Sequence, residues 1–451
     1  MMRIFGSHFP VLRLAMVFTG LLLAGLMPAA PAGAIEIKQV KSPSGLAAWL
    51  VEDHTNPIIT MKIAFRGGSA LDPAGKEGLA NLVASTLDEG AGDLDSQAFQ
   101  RKLEDLSISL RFGSGRDEFT GSLRTLTANR DEAFRLFRLA LTAPRFDSKA
   151  VERVRRQILS GLRRSAENPR DIAGRALMKR FFPNHPYGRP SDGSLETVPL
   201  IKLADLRLFA LQRIARDNLV VGLVGDITAD ETARMLDSVF GGLPKNAAPW
   251  TLPDIQPVSE NRTIVIDKPV PQSIIRFGQG GIKRSHPDFF AAYIMNYVLG
   301  GGGFESRLYE EVREKRGLAY SAWSYLSPMN SAGLVLGGAG TANERAGETV
   351  NVLRQEWRRM AEHGLTATEL RDAKTYLTGS YPLRFTSSRR IASILTGIQL
   401  ERLGIDYIKK RNGLITAVSH GDVNRVAKKL LKPDAITLVV VGKPKDVHPQ
   451  P

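Results

Sequence analysis

The stretch LGGGGFESRLYEEVREKRGLAYSAWSY, residues 299–325, holds the densest set of unusual choices in the chain. Four glycines, Gly300, Gly301, Gly302 and Gly303, precede a charged run over 306–316, then Gly317, then Tyr320, Trp323 and Tyr325. The order predicts a loop, a helix, a tight turn and a strand. Glycine reaches φ > 0 and lets backbone come close to a neighbour. Ser306 suits an N-cap and Gly317 a helix stop. Arg313 and Tyr320 then lie on either side of that stop, on a helix end and a strand start. No Gly-Lys-Ser/Thr follows the glycines, so they are not a phosphate loop. Taken singly, each piece has an ordinary reading: a flexible loop, a solvated helix face, a core tyrosine. The combination is more specific.

Working outward, 451 residues suit two or three domains, and 43% hydrophobic with 24% charged residues is a normal globular composition. The N-terminus reads as an export signal. Arg3 and Arg13 are its basic region, 14–26 its short apolar run, and Ala32-Gly33-Ala34 its small-residue cleavage site. The mature chain is expected to begin at Ile35, in a bacterial periplasm. No later segment is long and apolar enough to span a bilayer, so no stable membrane anchor is expected. The chain has no cysteine, which excludes disulfides, thiolate nucleophiles and cysteine metal sites. The formal charge is +15; taking Arg3 and Arg13 from 61 basic residues leaves 59 against 46 acidic, or +13. The excess is spread over helices without a basic stripe interleaved with aromatics. Nucleic acid is therefore not expected, and acidic peptides or an acidic protein surface are.

In chain order, residues 58–65 (IITMKIAF) read as a buried strand, 78–87 as a buried helix and 96–106 as an amphipathic helix. Residues 108–112 and 118–126 read as paired strands, 131–142 and 148–166 as helices, and 197–213 as including another. Residues 218–224 are a strand, and Thr228 with Glu231 forms a capping box. The proline-rich, aperiodic 243–260 is a linker. Afterwards the pattern recurs: strands at 273–277, 319–326, 333–340 and 436–441, and helices at 289–299, 344–363, from Thr366 with its Glu369 cap, and at 422–431. Asp205 begins a helix whose following strand ends at Gly225, and Asp422 begins one whose strand ends at Gly442; both intervals are 20 residues. This is a duplicated α+β unit of two halves, each a sheet backed by helices. The expected division is a signal peptide over 1–34, an N-terminal domain over 35–242, the linker over 243–260 and a C-terminal domain over 261–447.

The stretches GGSALDPAGKEGLANLVASTLDEG (67–90), HPYGRPSDGSLETVPLI (185–201) and LGGGGFESRLYEEVREKRGLAYS (299–321) resemble the pitrilysin/insulinase family of zinc peptidases, which includes the mitochondrial processing peptidases. The resemblance covers nearly all of the mature chain. It implies two α+β halves forming one side of a clam-like chamber around an extended peptide.

Active members of that family carry His-x-x-Glu-His on the first helix of the N-terminal half. Residues i and i+4 share a helix face, so both imidazoles reach one zinc, and the glutamate between them polarises water. A later glutamate completes the metal site. Here Asn81, Ala84 and Ser85 stand at the two histidine positions and the glutamate, and 159–162 offers Ser160 and Gly161 but no carboxylate. Histidines 54, 185, 286, 363, 420 and 448 include no i, i+4 pair. No metal ligands and no cofactor are therefore expected in this chain.

The resemblance also implies a role for an arginine and a tyrosine seven residues apart, which hold the substrate carbonyl and stabilise the oxyanion. Arg313 and Tyr320 stand at that spacing, and Gly300–Gly303 would contact peptide backbone. The expected function is a noncatalytic subunit of an exported heterodimeric zinc peptidase. It binds peptide and supplies Arg313 and Tyr320 to a zinc-binding partner carrying His-x-x-Glu-His. The alternative is a peptide-binding or assembly protein of the same fold with no part in proteolysis. No GxSxG, phosphate loop or dinucleotide fingerprint points to another enzyme class.

Overall fold

Two short strands come before the segments that the sequence marks most clearly. In the computed structural model, which describes residues 35–450, they are Lys38–Lys41 (β1) and Ala47–Glu52 (β2). The leader expected over 1–34 lies outside the described residues. Ile58–Arg66 (β3) alternates: Ile59, Met61, Ile63 and Phe65 enter the first core, and Thr60, Lys62 and Arg66 take the other face. Ser109–Ser114 (β4) and Glu118–Leu126 (β5) pair as a hairpin, and Leu219–Gly225 (β6) completes a sheet of order β1-β2-β6-β3-β5-β4.

The second sheet is built from Arg262–Asp267 (β7), Gln272–Gly280 (β8), Ala319–Pro328 (β9), Gly333–Ala342 (β10) and Thr437–Gly442 (β11). Its order is β7-β11-β8-β10-β9. Without β1, the two orders coincide strand for strand. Each sheet has one parallel pair at the same place, β2 with β6 and β7 with β11. The fold is α+β with two sheets backed by helices, as the duplicated pattern predicts.

The sequence landmarks have the same job in both halves. Asp205 and Asp422 each accept the backbone N–H three residues earlier, from Lys202 at 2.8 Å and Ser419 at 3.0 Å. Gly225 and Gly442 have φ of +131° and +151°. A Cβ would lie 2.0 Å from the Ile58 carbonyl oxygen at the first and 2.7 Å from Ser273 Oγ at the second. The capping boxes of Thr228 with Glu231 and Thr366 with Glu369 are both formed. Residues 243–260 contain no helix or strand. They are nonetheless tied to both halves, Val258 N–H to Phe181 O at 2.9 Å and Ile255 N–H to Ser331 O at 2.8 Å.

One face of each sheet is covered by helices of its own half. Arg130–Thr142 and Ala229–Phe240 bring Phe134, Phe137, Leu236 and Phe240 to the first core; Ala346–His363 and His420–Leu430 bring Trp357, Met360 and Val426 to the second. The other face is covered by exchange. Ser388–Leu400, from the second half, lies across β3 and β6, and Pro169–Phe181, from the first half, lies across β8 and β11. The sequence reading marks neither helix. The first seam is polar: Arg66 donates to the Leu400 and Gln399 carbonyls at 2.6 Å each, Gln399 Nε2 to Val221 O at 2.9 Å, and Thr396 Oγ1 to Lys62 O at 3.2 Å. The second is apolar, with Ala173, Leu177 and Phe181 against Ile274, Val439 and Val441. From Lys38 onward the chain forms one compact unit.

Gly222 of β6 packs closely under the exchanged helix. A Cβ there would meet Ala392 O at 2.7 Å and Thr396 Oγ1 at 2.9 Å. Gly222→Val is expected to cost about 1–3 kcal/mol, the usual range for overpacking. Denaturant unfolding followed by circular dichroism checks this. One transition moving as a whole is expected; a transition that splits in two would show the halves to be independent.

Candidate functional site

The helix Phe289–Asn296 widens at its end into a π turn, Tyr297–Gly301, in which Gly302 N–H reaches back to Tyr297 O at 2.8 Å. Such turns recur at functional sites. Buried Asn296 and Ser324 fasten it to β9: Ser324 Oγ donates to Asn296 Oδ1 at 2.9 Å and Asn296 Nδ2 to Ser324 O at 3.2 Å. Gly300 is buried against the same strand, where a Cβ would come within 2.5 Å of Ser324 N. Gly301 and Gly302 are crowded by Asn296 and Tyr297, whereas Gly303 has φ +60° and open space around it. The run is thus a packing requirement at its start and an exposed turn at its end.

Ser306 opens the next helix, as predicted, but its hydroxyl donates back to Gly303 O at 2.7 Å and caps no helix N–H. The predicted helix over 306–316 is one α turn, Arg307–Tyr309, followed by a second π turn, Glu310–Glu314. Lys315 N–H bonds Glu310 O at 2.9 Å. Gly317, at φ +57°, is the stop, and Leu318 N–H reaches Val312 O at 2.8 Å. Arg307 anchors the segment from below. Arg307 is 6% exposed, and its guanidinium makes a two-pronged pair with Glu369 at 2.7 and 2.8 Å and a third bond to Gly364 O at 3.0 Å. Burial pushes the Glu369 carboxyl up, but the Arg307 bonds and the Thr366 backbone N–H outweigh it and hold it at about 2.

The structure brings Arg313 and Tyr320 together. The Arg313 guanidinium lies 4.5 Å from the Tyr320 ring centroid and 4.9 Å from that of Tyr309, whose hydroxyl it also hydrogen-bonds. Phe304 meets Tyr309 edge-on at 4.8 Å. Tyr309 is buried, while Tyr320 is 80% exposed, and its hydroxyl has no hydrogen-bond partner among the described residues. A bulge explains that exposure. Ala322 pairs with Ala339 and Ala319 with Thr341, so Tyr320 and Ser321 together face Gly340 and the tyrosine is turned out of the ladder. Sequence reasoning missed Tyr309 and Phe304, although Tyr309 and Arg313 at i, i+4 were the available signal.

The opposite half offers different chemistry. The helix Leu79–Ala84 is short, with Asn81 partly exposed, Ala84 buried and Ser85 at its C-cap. Asp72, 3% exposed, holds its start, accepting Gly78 N–H at 2.9 Å and Ala80 N–H at 3.0 Å; burial pushes this carboxyl up to about 7. The helix packs on Ser148–Glu167, where Ser160 Oγ accepts from Arg164 at 3.0 Å. No group of three or more His, Cys, Asp or Glu among the described residues could hold a metal ion. An amide, a methyl group and a hydroxyl do not fit a zinc site with a water-activating base.

Comparison with known proteins gives the same family for two successive parts of the chain. Residues 48–193 match the model described as insulinase (peptidase family M16), and 201–377 the one described as peptidase M16 inactive domain. The chain is 30% identical to the non-peptidase homolog YmxG of Helicobacter pylori, over 94% of this chain and 98% of that one. It is 29% identical to an uncharacterized zinc protease of Streptomyces coelicolor, over 68% of each. Among solved structures, a peptidase M16 inactive domain from Pseudomonas fluorescens superposes with TM-score 0.85 at 30% identity, covering 92% of this chain and 100% of that one.

The Arg307–Glu369 pair gives a pH test. Glu369 is held below its ordinary value of 4.5, so its contribution is complete above that pH and is lost as pH falls from about 4.5 through about 2. Arg307→Met is expected to cost about 3 kcal/mol near neutral pH, the lower end for breaking a buried pair, because Glu369 keeps some solvent access. The difference from the unaltered chain should close across that acid window in denaturant titrations.

Proposed function

The chain belongs to peptidase family M16 as a noncatalytic member, and from that premise we propose that it is the exported, peptide-binding subunit of a heterodimeric zinc peptidase. In this reading the metal and its activated water belong to a partner chain carrying His-x-x-Glu-His, and this chain supplies Arg313 and Tyr320. The observation that carries the reading is an imbalance between the halves. Among the described residues the N-terminal half offers no group that could hold a metal ion, while the C-terminal half sets a guanidinium against an exposed phenol whose hydroxyl has no hydrogen-bond partner. Both groups donate hydrogen bonds, and arginine stays charged, which suits an oxyanion forming on a peptide carbonyl. The exposed Gly301 and Gly303 lie on the same segment, available to peptide backbone. The same Arg313 contacts also favour a second reading, in which the pair only packs the fold and the chain captures peptides without proteolysis.

The two readings separate on one recovery and two substitutions. A tagged chain drawn from its own cell envelope should bring a near-stoichiometric partner with His-x-x-Glu-His; recovery alone or as a homodimer would favour the second reading. With that partner in hand, Arg313→Ala and Tyr320→Phe should each lower turnover by about 10²–10³, by analogy with the loss of one oxyanion donor. The partner's zinc content should not change. Unchanged turnover would leave both residues as fold elements.

A further inference from the structure

The exchanged helix Pro169–Phe181 and the sheet beneath it do not touch along their whole length. Along residues 170–179 they line a half-open cavity of about 530 Å³. Its wall carries Arg116, Arg170, Arg175, Lys179, Arg189 and Arg276, against Asp171 and Asp192 as the only acids. Of those six cations only Arg189 has a carboxylate in salt-bridge range among the described residues, Glu77 at 3.6 Å. Arg170 stands in the first turn of its helix, where the backbone dipole already disfavours a positive charge. It lies close enough to Arg276 for the two to repel. Asp171 acts on Arg276 and Asp192 on Arg116, but six cations against two acids leave the wall net positive, which favours an anion.

The sheet side is built for the same purpose. Arg276 of β8, Gly338 of β10 and Trp323 of β9 form one row. A Cβ on Gly338 would lie 2.5 Å from Arg276 Nη1 and 2.9 Å from Trp323, so the glycine gives the arginine room to cross the middle strand. It does cross, and its guanidinium sits 4.7 Å over the Trp323 ring. Trp323 is itself stacked on Tyr325, with centroids 5.4 Å apart. Stacking occupies the flat face of the guanidinium and leaves its in-plane N–H fork free for a carboxylate. Arg276 has no hydrogen-bond acceptor among the described residues, and the Nε of Arg116 is buried without one. The row ends on β9, the edge strand of its sheet. An adjoining cavity shares Arg170, Arg276 and Trp323 and continues to Tyr320.

We infer that this cavity is a carboxylate subsite, in which Arg170 and Arg276, with Trp323 as the platform, take an acidic side chain or the C-terminal carboxylate of an extended peptide. This concerns the peptide-binding part of the reading above and not the donation of Arg313 and Tyr320, so it is tested on the chain alone.

Three fluorescently labelled peptides of one length decide it by anisotropy at low salt: one rich in Asp and Glu with an amidated end, its Asn/Gln counterpart with an amidated end, and that counterpart with a free C-terminus. Tenfold or tighter binding of the first or the third over the second is expected, and which one wins identifies the source of the carboxylate. The preference should shrink in 0.5 M salt. Arg170→Gln, at an exposed helix position, and Arg276→Met, which keeps most of the side-chain volume, should each reduce the preference at least threefold with the thermal midpoint unchanged. Equal binding of all three peptides overturns the inference. So does a preference that survives in a folded Arg170→Gln chain, whatever becomes of Arg276→Met.

Discussion

Much of this molecule depends on one constraint: one face of each sheet is covered by a helix that belongs to the other half. Each half covers one face and lends a helix to the other. The loan is paid in different chemistry on the two sides. Across β3 and β6 the contact is a set of hydrogen bonds from Arg66, Thr396 and Gln399, with Gly222 giving the room. Across β8 and β11 it is a third apolar core. The polar seam fixes where the helix sits, because each bond has a direction. The apolar seam holds by area, and area has none. A pair of halves joined in this way is a single body, and 243–260 is a strap bonded to both rather than a tether.

The candidate site grows out of that frame. Two π turns, the first of which takes in Gly300 and Gly301, come just before β9. Arg307 locks the second turn to Glu369 from below, and the bulge at the start of β9 turns Tyr320 outward over Arg313. Buried charge, non-α turns and an exposed tyrosine are each costly locally, and they are concentrated in one segment of about twenty residues. Among the described residues the first half has no π turn and no exposed tyrosine. Its short helix ends in Val83, Ala84 and Ser85, and the buried Asp72 accepts backbone N–H groups of Gly78 and Ala80 at the helix start.

How much of this could be read beforehand follows from what each residue has to satisfy. Gly225 and Gly442 were legible because their backbone excludes every side chain, and Asp205 and Asp422 because a helix start needs an acceptor. Strands β3 and β8 showed as apolar runs. The exchanged helices did not show. Pro169–Phe181 has a core face but also polar residues lining a cavity, so its apolar stripe is narrow and no periodicity stands out. Strand β1, KQVK, buries only Val40 and reads as loop. The π turns have no composition of their own. Arg313 and Tyr320 were found by spacing and resemblance, and their ring-to-guanidinium contact could come only from coordinates.

The exchange has a bearing on the order in which the chain becomes a protein. Arg66 on β3 finds its partner, the Leu400 carbonyl, 334 residues further on. Until that helix has been made, the polar face of β3 and β6 has no cover, however complete the rest of the first half is. Contacts closed over so much chain are slow to form, and they keep an elongating first half waiting with an open sheet face. A copy of the first half released alone would keep that face bare, and its own lent helix would have nothing to lie on.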